Sequence, residues 1–160
     1  MKIIICLLFC TAFYFSAHSQ ILTKFDTIRL KEKIDYKLAE PAVLEASEMI
    51  LSNPAYPSLQ TWQATVAFIF RWINGTPDYK LELNEFMGSI LKDKVALPIY
   101  LTSFAKSAIN SNGSASTREI EDAALKLMVD YLKDDQHKVK LGKKMKQFIK
   151  DYEENQANGK

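Results

Sequence analysis

Asp134-Asp135-Gln136-His137 is the one place in the chain where metal-ligand residue types sit together. A carboxylate and an imidazole two residues apart can share a cation, but a site needs at least one further ligand, and spacing points to none. The simpler reading is an acidic pair that caps the start of the last helix and favours its positive end. We therefore expect no metal and no cofactor. Acid/base catalysis needs positioned pairs, and carboxylates, with 19 Asp and Glu, are the plentiful candidates. None of them falls in a Gly-rich phosphate loop, a GxSxG elbow or an HExxH helix. Ser89 follows Gly88 but has no base near it in sequence. Enzymatic activity is not the expectation, and a carboxylate-based hydrolase is a minor alternative.

Two other groups of residues suit binding rather than chemistry. Tyr56, Trp72 and Tyr79, with Phe68 and the helix-breaking Gly75-Thr76-Pro77-Asp78 beside them, can line a groove. Aromatics near proline-bearing loops offer flat area with a polar edge, which suits sugars or peptides. The competing reading is that these rings are core. If the chain has a ligand site, it is expected at Tyr56, Trp72, Thr76 and Tyr79. Lys138, Lys140, Lys143, Lys144, Lys146 and Lys150 place six cations with no acid between Gln136 and Lys150. Such a run is ordinarily a solvated helix face. The functional alternative is an anion-binding surface at Lys138, Lys140, Lys143, Lys144 and Lys146 for lipid head groups, polysaccharide or an acidic partner.

The elements that must position these residues begin with a leader. Lys2 is followed by the apolar run 3–15 and then by small residues at Ala17 and Ser19. That order reads as a secretory signal peptide over 1–19, cleaved near Ser19-Gln20. The apolar run is shorter than the roughly 20 residues a bilayer span needs, so no transmembrane segment is expected after cleavage. Cys6, Cys10 and His18 leave with the signal, so the mature chain has no cysteine and a single histidine, His137. Thiol chemistry and zinc–thiolate sites are excluded, and stability must come from an apolar core. The formal net charge of +2 gives no global field suited to nucleic acid.

The rest reads as all-α: an irregular bundle or short superhelical array of about six helices with an N-terminal arm. The arm is 20–40, the helical domain 41–153, and a polar, disordered tail 154–160. Pro41 suits a first turn, so the first helix is expected over 41–52, with Val43, Leu44, Ser47, Ile50 and Leu51 inward. Ser58 is a good N-cap for a central helix over 59–74, whose apolar arc of roughly 200° includes Leu59 and Phe70 at its edges. Gly75 ends it with a residue type suited to positive φ.

Beyond it, Tyr79, Leu81 and Leu83 alternate inward. Asn84 can cap a short helix over 85–92, with Phe86, Met87, Ile90 and Leu91 buried. Pro98 opens a helix to Asn110, and 111–115 is a loop. Ser116 and Glu119 form a capping box for a helix to about Asp134. A final helix is expected over 136–153, with Val139, Gly142, Met145, Ile149 and Tyr152 as its stripe.

The segment from Trp72 to Tyr79, WINGTPDY, with Asn53-Pro54 upstream, resembles small exported all-helical bacterial proteins of unassigned function. The likeness spans roughly 41–152 and implies an exported helical domain. It carries over no catalytic residues. The expected function is that of an exported, non-enzymatic protein acting by contact with another protein or an envelope component. The alternative is a ligand- or peptide-binding module using the aromatic groove beside the helix 59–74.

Overall fold

A computed structural model of the chain describes residues 24–82 and 85–158. The expected signal peptide and its cleavage point, Leu83 and Asn84 lie outside the described residues. The fold is an all-α bundle of six helices, and the described residues contain no strand. No helix among them is long and apolar enough to cross a membrane.

Helix α1 (Lys33–Leu51) begins eight residues before Pro41, which lies inside it. The expected arm, 20–40, therefore gives way to helix at Lys33, and its described part, 24–32, is anchored by buried Phe25 stacking on Phe68 at 5.0 Å. Two forces move the helix start upstream. Asp35 accepts the backbone N–H of Glu32 at 2.9 Å and of Lys31 at 3.0 Å, satisfying donors at the helix start. These two bonds, ahead of the nearby Arg29 charge, hold the Asp35 carboxyl below its ordinary range. Second, Ala39, Val43, Ala46 and Ile50 repeat at alternating steps of four and three and are all buried, so one stripe runs through the proline. A proline inside a helix costs about 3 kcal/mol or more, and this continuous stripe offsets it.

Helix α2 (Gln60–Gly75) starts one residue later than expected, with its N-cap at Leu59 rather than Ser58. Leu59 is at the N-cap position without a side-chain cap bond, while Gln63 Nε2 donates to the Pro57 carbonyl at 2.7 Å. The apolar arc is narrower than its composition suggests. Trp62, Phe68, Ile69, Trp72 and Ile73 are buried, but Leu59 and Phe70 at the edges are about half exposed. Gly75 does not have a positive φ; Gly113 alone among the described glycines does. Gly75 is needed for space instead, since a Cβ there would lie 2.0 Å from Tyr36 Oη and 2.3 Å from Tyr36 Cζ.

The helix around which the others pack is α4 (Ala96–Ser111), touching α1, α2, short α3 (Glu85–Ile90) and α5 (Thr117–Lys133). Helix α2 touches α1 and α4. Composition explains the ranking. Helix α4 contains one charge, Lys106, and even its hydroxyl-bearing Thr102 and Ser103 are buried. A helix apolar or small on every side can be surrounded. Asp93 Oδ1 accepts the N–H of Val95 and of Ala96, both at 2.9 Å, so the helix opens two residues before Pro98. Left-handed Asn112 and Gly113 end it.

Helix α5 starts at the expected capping box: Ser116 N–H donates to Glu119 Oε2 at 2.7 Å, and Glu119 N–H donates to Ser116 Oγ at 3.3 Å. The last helix departs from expectation. Asp134 caps a single 3₁₀ turn, Asp135–His137, by accepting Gln136 N–H at 2.8 Å. Lys138 then turns left-handed, and α6 (Lys143–Ala157) begins only after Gly142. Val139 and Leu141 alternate inward with exposed Lys138 and Lys140, a period of two. Helix α6 holds on through Met145, Ile149 and Phe148, whose ring stacks on Phe86 at 4.6 Å.

Candidate functional site

The four residues singled out for an aromatic groove do not share one site. Trp72 is 0% exposed. Its Nε1–H donates to the Tyr36 carbonyl at 2.9 Å, and its ring lies 5.9 Å from that of Tyr79. This indole joins α2 to the first turns of α1 and lines none of the three clefts below. Tyr56, 48% exposed, is at the other end of α2. Thr76 and Tyr79 do come together, in a cleft of about 610 Å³.

Each wall of that cleft has a traceable origin. Helix α2 contributes Phe70 and Ile73 from its last turns, and α4 contributes Leu97 and Leu101 from its first. Met87 of α3 and Leu91 just beyond it close the third side. The connector 76–82 supplies Thr76, Tyr79 and Lys80 because Pro77 bars helix continuation and the chain runs extended. Phe70, 48% exposed, and Leu91, 53% exposed, flank the opening, against the expectation that Leu91 is buried. Leu91 follows the end of α3 in a turn, so the helical spacing that would bury it has already stopped.

Polar groups in the cleft are few. Thr76 Oγ1 is 3.5 Å from the Asp78 N–H, a long contact, and Asn74 completes the set on α2. Burial first, and the Glu40 charge second, push the Tyr79 phenol above its ordinary value, so its ring meets the cleft as a neutral wall. Lys80 is exposed and has no carboxylate within 4 Å among the described residues. Volume and lining match those of small-molecule sites, which commonly measure about 300–1,000 Å³ and are mainly apolar with a few polar groups.

A second, smaller groove of about 220 Å³ lies at the N-terminal end of α2. Met49 and Ile50 of α1, Pro54 and Tyr56 of the connecting loop, Leu59 at the N-cap of α2 and Trp62 within it line it. Trp62 is 8% exposed, and its buried Nε1–H has no hydrogen-bond partner among the described residues.

A third, polar cleft collects Glu48, Lys106, Asp130, Asp134 and His137. Its carboxylates are engaged: Glu48 with Lys106 at 2.5 Å, Asp130 with Lys126 at 2.7 Å, and Asp134 with the Gln136 N–H. His137 Nδ1 is 2.9 Å from the Tyr131 carbonyl, and its ring stacks on Tyr131 at 3.8 Å. No group of three or more His, Cys, Asp and Glu among the described residues is placed to hold a metal ion.

Lys138, Lys140, Lys143, Lys144 and Lys146 are exposed, and none has a carboxylate within 4 Å among the described residues. They do not form one helix face, because Lys138 and Lys140 precede α6. Lys150 pairs with Glu154 at 3.7 Å.

Reading the sequence missed Phe70, Leu91, Leu97 and Leu101 as cleft walls and Trp62 as the unpartnered indole. The edge position of Phe70 on its arc was the one available signal. No known protein family, curated protein or solved structure matches the chain.

Proposed function

We propose that this chain is an exported, non-enzymatic helical protein that works by binding, and that the cleft between α2, α3 and α4 takes an amphiphile with an apolar body and an anionic head. The observation that carries the reading is the cleft's composition: apolar walls enclosing about 610 Å³, opened between half-exposed Phe70 and Leu91, and lined also by Lys80, a cation without a carboxylate partner among the described residues. An apolar chain would replace water against Ile73, Leu97 and Leu101, at roughly 25 cal/mol per Å² of area covered. Lys80 would meet the head group and favour a carboxylate over a neutral end.

A long-chain fatty acid displacing an environment-sensitive fluorophore is the direct test. Saturable displacement by the wild type is expected. Leu97→Trp, which fills the half-buried wall, should weaken it at least tenfold, and Lys80→Glu should weaken the acid but not the matching alcohol. Unchanged affinity in Leu97→Trp would remove the reading.

A second reading has its own support. The five uncompensated lysines around the start of α6 suit contact with an anionic envelope surface. Vesicle binding that falls steeply between low and physiological salt would support it, and none at low salt would discard it.

A further inference from the structure

We infer that the groove at the N-terminal end of α2 is a recognition site for an extended, proline-rich peptide segment, with Trp62 Nε1–H donating to a peptide carbonyl. Three observations converge. The indole N–H is buried without a partner among the described residues, although such donors are ordinarily satisfied. The lining carries no ionisable carboxylate, lysine or arginine, so the groove complements an uncharged occupant. Tyr56, Leu59 and Met49 stand about half exposed around it, and Pro54 is beside them.

That combination has a specific complement. A volume of about 220 Å³ is below that of most whole-ligand pockets and suits one or two side chains of a longer chain lying across it. A polyproline segment has no internal hydrogen bonds, so its carbonyls are free to accept. Its stiff, preformed backbone loses little entropy on docking, and its rings pack on aromatic and apolar faces. In the free protein the indole nitrogen is shielded from water. Docking therefore requires side chains of the groove to move, and half-exposed Met49, Tyr56 and Leu59 can rotate on a fast timescale.

The two tryptophans supply an internal control. Titration of a ten-residue polyproline peptide into ¹⁵N-labelled protein should move the Trp62 indole cross-peak downfield and leave that of Trp72, already bonded to Tyr36, in place. Trp62→Phe removes the donor while keeping a ring and should weaken binding about tenfold, the worth of one neutral hydrogen bond. Tyr56→Ala, an exposed position whose loss leaves the core intact, should weaken it by a similar factor. A glycine-serine peptide of equal length should not bind. The inference is overturned if neither indole responds at millimolar peptide, if both respond alike, or if Trp62→Phe and Tyr56→Ala bind as the wild type does. Because Leu97 and Lys80 are not part of this groove, the Leu97→Trp and Lys80→Glu variants should bind the peptide normally, which separates this site from the larger cleft.

Discussion

Trp62 and Trp72 sit on one helix, about 15 Å apart along its axis, and both are buried. They have opposite hydrogen-bond status. The Trp72 indole donates to the Tyr36 carbonyl at 2.9 Å, while the Trp62 indole has no acceptor among the described residues. Around Trp72 the structure is tightly constrained: Tyr36 fills the space that the missing Cβ of Gly75 leaves, and its hydroxyl donates to the Leu30 carbonyl at 3.3 Å. Around Trp62 three large apolar side chains are half exposed over a groove. A buried donor with its acceptor fixes the geometry of two helices; one without it leaves a polar demand that a partner can meet. Burial alone does not separate the two tryptophans. The acceptor does.

Replacing each indole by phenylalanine tests that contrast most directly and carries the largest expected effect. Trp72→Phe should lose about 2–3 kcal/mol, from a cavity plus a stranded carbonyl. Trp62→Phe should stay within about 1 kcal/mol of wild type, because the donor it removes was unsatisfied. Urea midpoints at constant slope would measure both. Equal losses would erase the distinction.

Gly75→Ala comes next. Its Cβ forces the Tyr36 ring aside, at about 1–3 kcal/mol for overpacking, despite the better helix propensity of alanine. The loss should shrink when Tyr36→Ala is combined with it, and a double-mutant cycle showing additivity would contradict the steric account.

Alkali gives a graded effect, small just above pH 10 and growing from there, and it acts at the Trp62 end. Tyr131 Oη donates to the Asn53 carbonyl at 2.8 Å, holding the loop that carries Tyr56. Burial, with a smaller contribution from Tyr56, pushes the Tyr131 phenol up to about 12, and burial raises Tyr100 as well. A phenol whose folded value is raised stabilises fully below the unfolded value near 10. That contribution is lost as pH rises from there through the folded value. Stability should therefore be flat at pH 8–9 and then fall by at most about 1.4 kcal/mol per pH unit for each such tyrosine. Tyr131→Phe should flatten part of that slope between pH 10 and 12.

Much of the helical layout was legible because periodicity and caps are local. The stripe of α5 and its Ser116–Glu119 box needed no tertiary information. Pro41 misled because a proline suits a first turn, while the Ala39–Val43–Ala46–Ile50 stripe that overrides it is recognised only once its partners exist. The last helix begins at Lys143 rather than 136 and continues to Ala157 rather than 153, into the tail expected to be disordered, because a run of lysines satisfies a helical face as readily as an extended one. Left-handed Lys138 decides between them. The central position passed from α2 to α4 for a similar reason. Aromatic content is conspicuous, but a helix with small and apolar residues on every side is the one that neighbours can surround.

What the sequence determined by itself is therefore the all-helical class, most helix positions and the break after Gly75, since each follows from contacts within a few residues. Only the tertiary structure decided which tryptophan is satisfied, why residue 75 must be glycine, and that Thr76 and Tyr79 share a cleft while Tyr56 does not. Those outcomes depend on side chains and carbonyls brought together across the chain. The Tyr36 carbonyl that meets Trp72 is 36 residues away, and no local pattern encodes that meeting.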